Sequence, residues 1–379
     1  MLEYRTLKDL SEVKSICNDS KIEGTEVFMD DVRSRNELLY GTEEEKEKLL
    51  YWLRERSVKR VHCSYWAYPT SFLTKHSFTE LVERFGGEKE VREYYGDLTG
   101  DHMYRRWVQE YRIASEIGAQ SYTFHLIDYA PIDGMWEFTI SRQDILQAMV
   151  FMIQQLVNRL LDEKLMTKQS PQIELENAGF GLEYGIQTAE DYNFLFSQLY
   201  DPYNKVKIGW DVNHLLHAIG KNKDGDGACF MLPNSEKTMA MKQLEKQYGK
   251  KASQLAIKWI EHNVMNKETL HHIGAIQLSD CKLKREEFFT NGKLNEPYYS
   301  NILSLNTWEE KENYGVEIVL SQYDSHEILG EGILEAGAVR KLLEELERIH
   351  PEIVLLHELK NSENISEAVI KQRKNLGGF

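Results

Sequence analysis

The sequence predicts an α/β protein whose parallel strands close into a (β/α)8 barrel. Three observations lead there. Short β-branched or apolar runs alternate with helical stretches eight times along 379 residues. Polar side chains recur where those runs end. The turn after the first run, Met29-Asp30-Asp31-Val32, lacks the glycines that an open doubly wound sheet places around a phosphate.

Taken in order, Ile22–Phe28 reads as the first strand. Thr42–Arg56 follows as a helix, with Thr42 and Glu45 spaced for a capping box. Arg60–Ser64 is the second strand, and the aromatic loop Tyr65–Phe72 comes after it. Met103, Trp107, Tyr111, Ala114 and Ile117 recur at helical spacing through Asp101–Gly118 and mark a buried stripe. Ser121–Leu126 is the third strand, and Ser141–Met166 a long helix with Ile145, Met149, Ile153, Leu156 and Leu160 on its core face. Ile173–Leu175 is the fourth strand, ahead of helix Ala189–Leu199. Val206–Ile208 is the fifth and Ile273–Leu278, behind helix Ala252–Val264, the sixth. Val316–Leu320 is the seventh strand. Helix Glu335–Ile349, the eighth strand Ile353–Leu356 and helix Ser366–Lys374 complete the series.

Two polar stretches, near 221–250 and 283–314, read as long inserted loops after strands five and six of a single domain spanning 1–379. The aromatic residues of the second, among them Phe288, Tyr298 and Trp308, suit a lid. Asp224-Gly225-Asp226-Gly227 suggests a calcium loop, but the twelfth position from Asn222 is Pro233 rather than Glu, so a turn is expected.

Composition narrows the partners. The longest wholly apolar run, Ala148–Ile153, is too short for a bilayer, and the N-terminus lacks a basic-then-apolar leader pattern, so no membrane is expected. Four scattered cysteines suit a reducing cytoplasm. A formal net charge of −15 opposes contact with phosphate backbones and weighs against a nucleic-acid partner. A homo-oligomer is left open.

The chemistry gathers at the strand ends. Asp211 and His214 sit one helical turn apart in VKIGWDVNHLLHAIG, so a carboxylate and an imidazole can face one point. Divalent metals accept that oxygen-plus-nitrogen mixture, while the plain alternative is a helix cap beside a core histidine. His62, His125, Glu176, Gln277, Asp280, Asp324, His326 and Glu358 stand at other strand ends. In a barrel these ends form one face, where active sites sit.

His62 in VHCSYW, His125 in TFHL, Glu176-Asn177, Asp211-x-x-His214, Asp280 in LSD, Asp324-x-His326-Glu327 before G-x-G, and Glu358 together resemble the xylose-isomerase-like TIM barrel superfamily. That group contains sugar and sugar-phosphate isomerases and epimerases, and endonuclease IV. The resemblance spans roughly residues 22–360. It implies one metal held by Glu176, Asp211, the position of Gln277, and Glu358; Gln277 replaces the usual histidine. The endonuclease-like ligands it adds are His62, His125, His214, Asp324 and His326.

The expectation drawn is a divalent-metal sugar or sugar-phosphate isomerase or epimerase. Glu176 and Glu358 would serve as base and acid in proton transfer beside a carbonyl, through an enediolate. Trp66, His125, Asn177, His214, Asp280 and Lys282 would contact a small sugar or sugar phosphate. An oxygen-rich site including Gln277 favours manganese or magnesium, with zinc as the alternative. An endonuclease IV-like multinuclear phosphodiesterase acting on abasic DNA is the competing reading. An inactive sugar-binding barrel is the third.

Overall fold

The computed structural model describes residues 2–4, 14, 17–18, 21–29, 41–63, 79, 82–83, 87–95, 100–125, 130–132, 135–137, 142–177, 186–217, 239–248, 252–281, 289–290, 293–294, 326–359 and 364–379. Strands are numbered β1 (Leu2–Tyr4), β2 (Thr25–Phe28), β3 (Val58–His62), β4 (Ser121–His125), β5 (Gln172–Glu176), β6 (Val206–Asp211), β7 (Ile273–Leu278) and β8 (Val354–His357). The seven from β2 to β8 form one curled, wholly parallel sheet in chain order. At its margins β1 pairs with β2 over three residues, and Leu2 pairs with His357 of β8, so the strand order returns on itself.

Sequence and structure differ at the ends of this series. Leu2–Tyr4 carries no strand expectation. The expected strand Val316–Leu320 lies outside the described residues, and β8 pairs directly with β7, Val354 opposite Ala275. The strands expected fifth and sixth are β6 and β7.

The helices pack outside the sheet. They are α1 (Glu43–Glu55), α2 (Glu88–Tyr95), α3 (Asp101–Glu116), α4 (Arg142–Asp162), α5 (Ala189–Gln198), α6 (Val212–His217), α7 (Met239–Tyr248), α8 (Ala252–Val264), α9 (Ala336–Ile349) and α10 (Ile365–Asn375). The capping box of α1 forms as expected: the Glu45 N–H donates to Thr42 Oγ1 at 3.3 Å, and the Thr42 N–H to Glu45 Oε2 at 2.7 Å. Within the polar stretch 221–250, α7 is a helix that the sequence reading leaves unassigned. No described helix is long and apolar enough to cross a membrane.

Strand alternation sorts two environments. Ile173, Leu175, Ile208 and Trp210 join a core with Trp107 of α3, Met149 and Leu156 of α4, and Trp259 of α8. The intervening residues point into the curl of the sheet, which is charged. There the buried Arg60 guanidinium contacts Glu26 and Glu174 and donates to Thr123 Oγ1 at 3.2 Å. Burial works against its charge, but Glu174 and Glu26 more than offset it and hold Arg60 protonated. Gly274 makes room: a Cβ there would lie 2.8 Å from Gln172 Oε1 and 3.0 Å from Glu174 Oε1. This ionic layer lies beneath the strand ends that carry the site.

Candidate metal centre

Five of the site residues arrive at the ends of neighbouring strands. His62, His125, Glu176, Asp211 and Gln277 are terminal or next to terminal in β3 to β7 and point inward. Pairing places His125 opposite Glu176 and Asp211 opposite Gln277. Glu358 follows β8, His214 lies in α6, and His326 lies on the loop that leads to α9. All eight are buried.

Glu176 is the hub. His125 Nε2 donates to its Oε1 at 2.7 Å, with His214 Nδ1 3.1 Å from the same oxygen. Gln277 Nε2 donates to Oε2 at 2.6 Å, and His62 Nε2 lies 3.7 Å from it. Burial alone would raise the Glu176 carboxyl, but His125, His214 and His62 hold it well below the usual range. Burial in turn lowers His125 to about 4. His326 Nε2 lies 3.4 Å from Glu358 Oε1.

The donors fall into three overlapping groups. His62, His125 and Glu176 form one; Glu176, Asp211 and Glu358 form the second; Asp211, His214 and His326 form the third. In each, one donor atom per residue lies within 4.8 Å of the others. Glu176 is common to the first two and Asp211 to the last two. The four imidazoles follow this arc edge to face, with ring centroids 5.0, 5.3 and 5.6 Å apart.

Local anchors fix these rings. His62 Nδ1 lies 3.1 Å from the Cys63 carbonyl and His214 Nδ1 2.9 Å from the Asn177 carbonyl. A carbonyl only accepts, so Nδ1 carries a proton in both rings, which leaves Nε2 as the atom to face a metal. Metal-ligating histidines are commonly oriented this way. His326 Nδ1 meets Ser279 Oγ at 2.9 Å. Asn177 is also an anchor: its amide donates to the Asp211 carbonyl at 3.1 Å and accepts from the Asp211 N–H at 2.7 Å.

The donor set fits divalent ions on a further observation. Among the described residues, the buried Gln277 Oε1 has no hydrogen-bond donor, and the buried Asp211 Oδ2 has only the His214 Nδ1 contact at 3.4 Å. Buried oxygens short of donors are costly, and a cation would satisfy both.

Asp280 is held by the backbone of the loop that leads to α9. Its carboxylate is buried and accepts from the backbone N–H groups of Cys281, Gly330, Gly332, Ile333 and Leu334. Burial raises it to about 6 against the pull of those donors. His326, which this loop presents, has a φ of 40°, a left-handed conformation costing a non-glycine residue about 1–2 kcal/mol. Trp66, Lys282 and Asp324 lie outside the described residues. Sequence reasoning left Ser279 and Asn213 unnoticed as anchors, although both stand inside the motifs it singled out.

No family model matches this sequence, and no curated protein matches it. Among solved structures, a 3-keto-D-glucoside 4-epimerase from E. coli aligns with a TM-score of 0.49 at 9% identity, covering 100% of this chain and 98% of its own. Endonuclease IV from Thermus thermophilus aligns at 0.47 and 13% identity, over 100% and 97%. A D-allulose 3-epimerase from Methylomonas sp. aligns at 0.48 and 7% identity, over 99% and 96%. By their names these structural neighbours are two sugar epimerases and an endonuclease.

Proposed function

We propose that the chain is a metal-dependent hydrolase of small phosphoesters, with more than one divalent ion held along the Glu176–Asp211 arc. The observation that carries this is the overlap of three donor groups through two shared carboxylates. A lone isomerase metal needs only the middle group. Four inward imidazoles, three with Nδ1 tied to an oxygen, suit ligation at the flanks.

His62, His125 and Glu176 would hold one ion, and Asp211, His214 and His326, joined by Asp324, a second. Glu176, Asp211 and Glu358, with Gln277 Oε1, would hold the middle position. Divalent ions, when bound, supply Lewis acidity toward water and neutralise phosphate charge. The chain's own residues do the rest. Glu176, with both oxygens engaged, is a shared ligand in this reading rather than the base expected for an isomerase. Lys282 and Trp66 keep their assignment as substrate contacts, and the net charge of −15 favours a small substrate over a duplex.

The isomerase or epimerase reading is the second, because the middle group is all oxygen once Gln277 is counted. That set suits manganese or magnesium and a chelating hydroxyl–carbonyl pair.

Protein stripped with chelator and restored with zinc, manganese or magnesium should be assayed on bis(p-nitrophenyl) phosphate and on a panel of ketoses and ketose phosphates. Hydrolysis that is lost on stripping and regained with metal is expected. Metal-dependent epimerisation without hydrolysis would overturn the first reading in favour of the second.

A further inference from the structure

We propose that Asp280 is a positioning residue that holds the Asp211–His214–His326 group together; this rests on the reading of those three as metal ligands. Its contacts run in two directions from one buried residue. Toward β6, the Asn213 amide, set between Asp211 and His214, donates to the Asp280 carbonyl at 2.8 Å. Toward the loop, the Asp280 N–H donates to the Glu327 carbonyl at 2.8 Å, and the Glu327 N–H returns to the Asp280 carbonyl at 3.0 Å. Glu327 adjoins His326 in the chain.

The carboxylate then gathers the loop beyond. Oδ1 accepts from Cys281 at 2.8 Å, Ile333 at 2.9 Å and Leu334 at 3.1 Å, while Oδ2 accepts from Gly330 at 3.0 Å and Gly332 at 2.9 Å. The loop is shaped around it. A Cβ on Gly332 would fall 2.6 Å from Asp280 Cγ and 2.4 Å from the Cys281 carbonyl oxygen, and Gly330 has a φ of 91°. Four loop N–H groups, with that of Cys281, turn onto one carboxylate and tie the loop to it.

That arrangement has a purpose at its near end. His326 sits in a left-handed backbone conformation, which persists only where the surroundings over-determine it. The Glu327 pairing fixes its carbonyl side, and Ser279, the residue before Asp280, fixes its ring through Nδ1. A residue just past β7 therefore sets the distance between a helix-borne histidine and a loop-borne one. An asparagine in its place keeps the shape but turns an amide N–H₂ toward backbone donors, so about half of the acceptors are lost.

Two readouts test this on the full-length chain. Cobalt(II) titration, followed by equilibrium dialysis and visible absorption, is compared among wild type, Asp280→Asn, Ser279→Ala and His326→Ala. Asp280→Asn should weaken by more than tenfold the same cobalt equivalent that His326→Ala removes, with any remaining equivalents within about twofold of wild type. Selective ¹⁵N-histidine NMR without metal should show one fixed tautomer for His326 in wild type and an averaged ring in Asp280→Asn. Should Asp280→Asn not fold, Ser279→Ala, which removes only a hydroxyl, should give the same two changes. Wild-type cobalt affinities together with an unchanged His326 ring in the variants would overturn the proposal. Absence of cobalt uptake by wild type would instead sink the metal reading, and the ring signal would still decide the role of Asp280.

Discussion

Gln277 shows how one side chain sets the character of the middle position. Its Nε2 is committed to Glu176, which turns Oε1 away as a buried oxygen without a donor among the described residues. An amide oxygen is a harder and weaker donor than imidazole nitrogen, so the middle position should discriminate against zinc. We expect Gln277→His to raise zinc affinity relative to manganese by about tenfold or more, read by competition titration. An unchanged ratio would remove Gln277 from the site. The residue types of the site were legible because most stand at a strand end, with His214 one helical turn past Asp211 and His326 in a distinctive loop motif. Its anchors were not. Ser279, Asn213 and Asn177 act through hydrogen bonds to residues far along the chain, and spacing carries no trace of them.

Elements with strong periodicity were read correctly in kind. Of the expected stripe, Met103, Trp107, Tyr111 and Ala114 are buried on α3, while Ile117, its C-cap, is half-buried. Strand limits moved because the curl of the sheet is lined with charge: Gln172, Glu174 and Glu176 belong to β5, yet only the apolar residues between them suggested a strand. A period of two in that run was the available signal. β1 was missed because three residues carry too little pattern. The short turn before β7 has its own titration. The His272 ring stacks on Phe196 of α5, with centroids 3.8 Å apart, and burial lowers it to about 4, assisted by His271 and Lys207. A histidine whose folded value lies below its unfolded one is protonated first in the unfolded chain. Stability should therefore fall as pH drops from about 7 toward 4. His272→Gln should remove about 1 kcal/mol of the loss between about pH 7 and 5, allowing for the half-exposed ring. Urea unfolding at both pH values checks this; equal losses in the two proteins would refute it.

The whole molecule rests on two kinds of interior, an apolar one outside the sheet and an ionic one within it. Arg60 bridges Glu26 and Glu174 in the ionic interior. Removing it takes the guanidinium away from two buried carboxylates. Arg60→Met should cost about 3–5 kcal/mol in urea unfolding. Restoring neutrality with Glu26→Gln and Glu174→Gln in the same chain should recover much of that. At the scale of total charge, the protein should bind duplex DNA no more than weakly at physiological salt. Micromolar, salt-dependent binding with incision at an abasic site would shift the substrate from small phosphoesters to nucleic acid.

The central claim is that several divalent ions share Glu176 and Asp211. The most direct measurement is the metal-to-protein ratio of chain purified without chelator and dialysed against each candidate ion, in wild type and Glu176→Gln. We expect at least two ions per wild-type chain. Glu176→Gln should lose ions from both groups that share this carboxylate while keeping a cooperative thermal transition. A wild-type chain that holds one ion or none, or a Glu176→Gln protein with full occupancy, would contradict the multinuclear centre.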